Sequence, residues 1–266
     1  MEFFLAGKTV LLTRPRRQAE ESRSLFESAG ATVLVQPAFD VIPAVCISAE
    51  ELAPQRLAEY QRIIFSSANG VIFFLEALQK ADQQDGGDRL RTVRAIPIAA
   101  VGPGTAAELE RYKFRADIVP KLHSAEGMAE ALAEEARSGY RFLSIRGDRG
   151  RAALKNSLTA QGGFFHELSV YQTKEIKKPD EEIVRHLRSE KIDFTIITSS
   201  ATGTGIVRLL EELLKKTIIV SISPLTSSAL TGLGYPPTIE AEEASMPGIL
   251  AAVKDFTLQS SRSDSD

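Results

Sequence analysis

The chain states nearly the same sequence twice. LLTRPRRQAEESRSLFESAGATV (Leu11–Val33) returns as LSIRGDRGRAALKNSLTAQGGFF (Leu143–Phe165), and FSSANGVIFFLEAL (Phe65–Leu78) returns as TSSATGTGIVRLLEEL (Thr198–Leu213). VGPGTAAEL (Val101–Leu109) returns as ISPLTSSAL (Ile222–Leu230), and HSAEGMAEAL (His123–Leu132) as ASMPGILAAV (Ala244–Val253). Arg14 and Arg146 lie 132 positions apart, as do Gly30 and Gly162, while Ser66 and Ser199 lie 133 apart. Thr105 and Thr226, like Gly127 and Gly248, are separated by 121, so the first copy holds about a dozen extra residues. DQQDGGDRLR (Asp82–Arg91) is expected to supply them as a surface loop. A repeat of about 120 to 130 residues implies two similar domains, each large enough for its own core. Arg, Ser, Thr and Gly recur at matched places, which is the raw material of a ligand cleft.

Composition narrows the classes. The 266 residues are 43% hydrophobic and 25% charged, as in an ordinary globular protein of two domains. A net charge of −3 offers no general attraction to nucleic acid or to an anionic membrane surface. An anionic ligand must therefore be held by local cations and backbone donors. The single Cys46, in the apolar run VIPAVCIS, excludes an internal disulfide and reads as a structural thiol. His123, His166 and His186 have no metal-ligand spacing, so no metal is expected. No apolar run approaches the ~20 residues of a membrane span. MEFFLAGKTVLL begins with an acid and meets Lys8 too early for a signal peptide, which leaves a cytoplasmic protein as the expectation. The polar tail LQSSRSDSD is expected to be disordered.

Each copy alternates short β-rich runs with longer helical ones. The first reads as strands at Lys8–Thr13, Thr32–Gln36, Arg62–Ser66 and Ile96–Val101. Its helices read as Arg16–Ala29, a segment through Val71–Leu78 capped by Ser67 or Asn69, one from Thr105, and Ala125–Ala136. The second copy repeats the pattern from Tyr140–Ile145 and Gly150–Ala160 to Ile218–Ile222 and Ser227–Gly232. Such alternation builds βαβ units, and so an α/β fold of two flavodoxin-like, doubly wound parallel sheets. Ligands of these sheets lie beyond the carboxyl ends of the strands.

The residues at those ends are Thr13 and Arg14, Ser66 and Ser67, Gly102 with Thr105, Arg146 and Gly147, Thr198 to Ser200, and Ser223 with Thr226. All are hydroxyl, cationic or glycine, apart from Asp148 close behind one of them. Helix N-termini add amides and a positive dipole there, which suits a ligand bearing several carboxylates or phosphates. Plainer readings exist for each: Ser and Thr as N-caps, Arg14 paired with Glu20 or Glu21, RGDRGR (Arg146–Arg151) as a solvated turn. RGDRGR also lacks the P-loop pattern, and VGPGTA has only part of a dinucleotide fingerprint.

Taken in order, LLTRP, FSSANGV, VGPGTA, IRGDRGRAAL with VYQT, ITSSAT and ISPLTSSAL resemble the uroporphyrinogen-III synthase family, from about Lys8 to Phe256. The resemblance implies that the two domains exchange their first strand–helix–strand segments. Domain one would then hold residues 1–38 with 172–266, and domain two residues 39–171, joined by a two-strand hinge of QPAFDVIP (Gln36–Pro43) and LSVYQTKE (Leu168–Glu175). It implies closure of hydroxymethylbilane to uroporphyrinogen III, with loss of water and inversion of ring D, by a monomer needing no cofactor. Ser66, Ser67, Asn69, Ser199 and Ser200 would bind the substrate's carboxylates, with Thr105 and Thr226 at the next helix starts. Arg14, Arg146 and Arg149 would anchor others, and Tyr171 would assist departure of the hydroxyl or else pack the hinge. One departure concerns ERYKFRAD, where many family members have a glycine before the next strand. A two-domain binder of an organic anion or sugar phosphate would use the same serines and arginines without Tyr171. A pair of nucleotide-binding domains is disfavoured by the missing acid and the incomplete glycine pattern.

Overall fold

The alternation of β-branched runs and amphipathic segments is followed closely by the chain's path in a computed structural model that describes residues 3–44, 47–149 and 152–263. In order these are β1 (Thr9–Leu12), α1 (Arg16–Glu27), β2 (Thr32–Val35), β3 (Phe39–Pro43), α2 (Pro54–Leu57), β4 (Arg62–Phe65), α3 (Ala68–Asp85) and α4 (Arg89–Arg94). Next come β5 (Ile98–Ala100), α5 (Pro103–Arg111), α6 (Ala125–Ala131), α7 (Ala133–Arg137), β6 (Arg141–Gly147), α8 (Ala153–Ala160) and β7 (Phe164–Glu175). The last are α9 (Glu181–Arg188), β8 (Phe194–Ile197), α10 (Ser200–Leu210), a 3-10 turn (Glu211–Lys216), β9 (Ile218–Ser221), α11 (Pro224–Gly232), β10 (Ile239–Glu240) and α12 (Met246–Ser263). Cys46 and the Gly150 start of the expected helix lie outside the described residues.

Two sheets result, ordered β10-β9-β8-β1-β2 and β3-β7-β6-β4-β5. The first sheet is parallel throughout, and so is the β7-β6-β4-β5 part of the second. A parallel bridge from Ala99 to Ile118 extends the second sheet beyond β5, as Val220 pairs with Ile239 in the first. In sequence terms β1 and β2 of the first copy sit beside β8, β9 and β10 of the second. Reciprocally, β6 and β7 of the second copy sit beside β4 and β5 of the first. The opening strand–helix–strand segments are thus exchanged. Both sheets are covered on two faces, and their central strands are uniformly buried, as doubly wound sheets require.

Two compact units follow, one of Met1–Asp40 with Lys174–Asp266 and the other of Val41–Thr173. The first holds cores around Val10, Phe26, Phe194 and Ile249, and around Leu11, Leu187, Ile206 and Leu230. The second holds cores around Phe65, Phe74, Leu143 and Val170, and around Ile64, Met128, Phe142 and Leu158. The chain passes between units in β3 and β7, which are neighbours. Ala38 accepts from Ile176 at 2.9 Å within the first unit, and Ala44 donates to Val170 at 3.0 Å within the second, both in antiparallel register.

Four expectations are corrected. The Asp82–Arg91 segment is not a surface loop: α3 runs on to Asp85, Gly86 caps it in a left-handed conformation, and α4 begins at Arg89. Buried Arg89 holds this insertion by bonding Asp82, Asp85 and the Leu52 carbonyl. The repeat register at the serines also shifts by one. Ser67 and Ser199, not Ser66 and Ser199, are the equivalent N-caps, each accepting at 3.1 Å from the amide three residues on. That offset is 132, the same as for the arginines. The helix expected over Ala125–Ala136 breaks at Leu132 into α6 and α7. Finally, α12 continues to Ser263, so much of the polar tail is helical; no Gly or Pro lies between Gly248 and that point to stop it.

Candidate functional site

Parallel pairing brings the carboxyl ends of β6, β4 and β5 to one edge of the second unit. Ser67 stands there with extended backbone and caps α3, while its hydroxyl lies 3.0 Å from the Tyr171 phenol oxygen. The Tyr171 ring packs against Phe73 of α3, with centroids 5.8 Å apart. Its other side lies on Gly147, where any Cβ would fall 2.9 Å from the phenol oxygen and closer still to Cε2 and Cζ. Ser66, exposed, donates to the Ile145 carbonyl at 3.1 Å. Asn69 is half-buried in the first turn of α3. These residues are brought together by β4, β6, β7 and α3.

The arginines at this edge are engaged. Arg146 is ion-paired to Glu167 and donates from Nε to the Gly147 carbonyl. Arg149 is exposed and donates to the Thr173 carbonyl at 3.2 Å. Asp148 donates its amide to the Tyr171 carbonyl and accepts from the Thr173 amide, both at 3.1 Å. Residues Arg146 to Arg149 therefore fasten β7 just before the chain leaves this unit. The Glu167 partnership was not legible, since it depends on the register that sets β7 beside β6.

The corresponding edge of the first unit, at the ends of β1, β8 and β9, differs in charge. Arg14 is half-buried, and its bonds go to neutral groups, Ser22 at 2.7 Å and Gln18 at 3.3 Å. Its Nε is buried without a partner. Burial holds the guanidinium below the usual arginine range, an effect only partly offset by the negative charge of Glu21. Neither Glu20 nor Glu21 forms an ion pair with it. Thr13 donates to the Ile196 carbonyl at 2.6 Å, joining β1 to β8. Ser199 caps α10 and also reaches the Thr202 hydroxyl, while Ser200 donates to the Leu225 carbonyl at 3.3 Å.

Both units share one more feature. Helices α5 and α11 follow the N-cap residues Gly102 and Ser223, with a proline in the first turn and no side-chain cap on either. The Ser223 hydroxyl turns instead to Thr226, 3.2 Å away. Thr105 and Thr226 are buried within these first turns. First-turn amides without a side-chain acceptor are ready partners for an anion. Among the described residues no group of three or more His, Cys, Asp or Glu side chains is arranged to hold a metal ion. No helix among them is long and apolar enough to cross a membrane.

The family model for uroporphyrinogen-III synthase HemD matches residues 20–251. The chain belongs to the uroporphyrinogen-III synthase family. It is 27% identical to the uroporphyrinogen-III synthase of Chlorobaculum parvum, over 93% of this chain and 98% of that one. Identity to the Synechococcus elongatus uroporphyrinogen-III synthase is 28%, over 96% and 97% of the two chains. Among solved structures, the fold resembles uroporphyrinogen-III synthetase from Helicobacter pylori, with TM-score 0.59 and 19% identity over 94% of this chain and 99% of that one. A uroporphyrinogen III synthase mutant from Thermus thermophilus gives TM-score 0.57 and 17% identity over 95% and 99%. These two structures share with this family member the pair of linked α/β units. Sequence reading set Gly147 at a strand end but gave it no role of its own; the signal available was its place directly after Arg146, where the first copy has Pro15.

Proposed function

We propose that this uroporphyrinogen-III synthase family member closes hydroxymethylbilane to uroporphyrinogen III as a monomer, with Tyr171 as proton donor and the strand-end groups as carboxylate holders. The family match carries the reaction. The single observation that supports the division of roles is the contrast between the two sheet edges. One presents Arg14 among neutral partners, and the other presents a phenol beside a serine while its Arg146 is already neutralised by Glu167.

Departure of the substrate's hydroxyl requires a proton, which the Tyr171 phenol supplies as the general acid. The carbon–oxygen bond breaks, water leaves, and an azafulvene remains. Ring D attacks through its substituted carbon, the spiro intermediate fragments, and the ring recloses inverted before a final proton is lost. No electron is gained or lost overall. Uncatalysed closure gives the unrotated isomer, so holding one conformation of a flexible chain is the first demand on the protein. Arg14, with its unpartnered Nε, suits a carboxylate, as do the uncapped starts of α5 and α11. Ser66, Asn69 and Ser200 flank the helix starts, while Thr105, Thr226 and Ser199 shape the first turns. Arg149 is a further cation at the rim.

The test is coupled turnover. Hydroxymethylbilane is generated in place by its deaminase, the protein is added, and the oxidised porphyrin isomers are separated. Isomer III above the no-enzyme control is expected. Isomer I alone from folded protein would overturn the reading in favour of an anion-binding clamp.

A further inference from the structure

The pairing of β6 with β7 runs evenly from Arg141 with Phe164 to Arg146 with Ser169, and then Gly147 pairs with Tyr171. Val170 is therefore an extra residue in β7, a bulge in a parallel ladder, where bulges are rare. Its consequence follows from the period of a strand. In regular alternation Tyr171 would share a face with exposed Ser169, opposite buried Leu168 and Val170. The bulge instead places Tyr171 against the same core as Leu168 and Val170, beside Phe73 of α3. There the ring needs the space that a side chain at 147 would fill, and residue 147 is a glycine with an ordinary negative φ. Backbone freedom does not call for glycine at that position; the close approach of the ring does.

The third contact sets the proton. The Ser67 hydroxyl accepts from the Gly70 amide at 3.1 Å as the cap of α3, which fixes the oxygen in place. Its own hydrogen is left to donate, and the Tyr171 oxygen, 3.0 Å away, is its one acceptor among the described residues. A phenol that accepts from Ser67 keeps its own hydrogen free for another oxygen. Were the direction reversed, that hydrogen would be spent on the cap.

We propose that Ser67 and Gly147 are positioning residues that, with the Val170 bulge, seat the Tyr171 phenol with its proton directed away from α3 toward the departing hydroxyl. This deepens the reading of Tyr171 as proton donor and rests on it. Ser67 acts through Tyr171 rather than by holding a carboxylate, which distinguishes it from Ser66 and Ser200.

The experiment compares Ser67→Ala, Ser67→Thr, Gly147→Ala, Tyr171→Phe and the Ser67→Ala/Tyr171→Phe double variant for kcat, KM, isomer ratio and thermal midpoint. Tyr171→Phe and Ser67→Ala should each lower kcat by about five- to fiftyfold with KM within about twofold. The double variant should fall no further than Tyr171→Phe alone, because the serine has nothing left to orient. Ser67→Thr, which keeps both cap and hydroxyl, should recover most of the turnover. Gly147→Ala should lower kcat at least as much as Ser67→Ala. A rise in KM at unchanged kcat in Ser67→Ala, or losses that multiply in the double variant, would overturn the seat while leaving Tyr171 as the acid. Full turnover in Tyr171→Phe would overturn the acid itself and the seat with it.

Discussion

Arg14 illustrates how a single side chain can be ill-suited to the fold and well-suited to a ligand. Half-buried among Ser22 and Gln18, it loses hydration without gaining a carboxylate. Replacement by glutamine should therefore cost the fold little or slightly raise its midpoint. A charge-assisted bond to carboxylate contributes roughly 1.5–3 kcal/mol, so KM for hydroxymethylbilane should rise about ten- to a hundredfold. Steady-state kinetics beside a thermal melt would check both halves, and a KM unchanged in Arg14→Gln would remove the arginine from the binding set. Such a role was partly legible, because Arg14 stands at a strand end in an otherwise hydroxyl-rich list. The contrast with Arg146 was not. It depends on Glu167, 21 positions later in sequence, facing Arg146 only once β6 and β7 pair. The place of Tyr171 was hidden for a similar reason: a bulge breaks the period-2 rule by which a strand's faces are read.

Elements obey local rules that the repeat lets one compare within a single chain. After α5, Lys113 adopts φ +61°, and its counterpart 121 positions later, after α11, is Gly234 at φ +84°. The glycine that ERYKFRAD lacks is thus replaced by a lysine held in a left-handed conformation, closed by the Phe114 amide on the Leu109 carbonyl. Such a conformation costs a side-chain-bearing residue on the order of 1 kcal/mol. Lys113→Gly should therefore stabilise by roughly 0.5–1 kcal/mol, and Gly234→Ala, with open space around it, should destabilise by about as much. Denaturant midpoints would measure both. The insertion after α3 makes a different prediction. Hydrogen bonding to Arg89 holds the Asp85 carboxyl down at about 2. Asp82 is also lowered, since the opposing effect of burial is outweighed by the Arg89 and Leu90 amides and the same guanidinium. An unfolded aspartate titrates near 3.9, so this stabilisation is complete above about pH 4 and fades as pH falls toward about 2. Arg89→Gln should lower the midpoint at pH 6 and flatten its fall between about pH 4 and pH 2, so that the two curves converge in acid. The β-rich runs and the helix starts at Arg16 and Ala125 were legible from periodicity and punctuation. The Asp82–Arg91 stretch was not, because GG between charged residues reads as a loop until Arg89 is seen to be buried.

At the scale of the whole chain, repeat and folding unit do not coincide. The repeat divides the sequence near Ser138, but the compact units divide it at Asp40/Val41 and Thr173/Lys174. Phe39 packs in a core of the first unit and Val41 in a core of the second, so the switch occurs within β3. Alternating strands and helices revealed two doubly wound sheets, yet nothing in one sequence copy says that β1 will prefer β8 to β4. Both choices offer a parallel strand with matching apolar faces, and the exchange itself came from resemblance rather than from any local pattern. Its physical consequence can be tested by cutting the chain. Residues 41–173 form one uninterrupted stretch that contains β4, β5, β6 and most of β7 together with two cores. At about 130 residues such a fragment buries roughly two thirds of its surface, which is enough for independent stability. Residues 1–138, the first sequence copy, would hold β1 and β2 without β8, and β4 and β5 without β6. Neither sheet then has its central pair, and apolar edges of β1 and β4 are left open. The fragment 41–173 should give an α/β circular dichroism spectrum and one cooperative melt. The fragment 1–138 should bind a hydrophobic dye and melt without a transition. A reversal of these outcomes would mean that the repeated segment, and not the exchanged unit, is what folds.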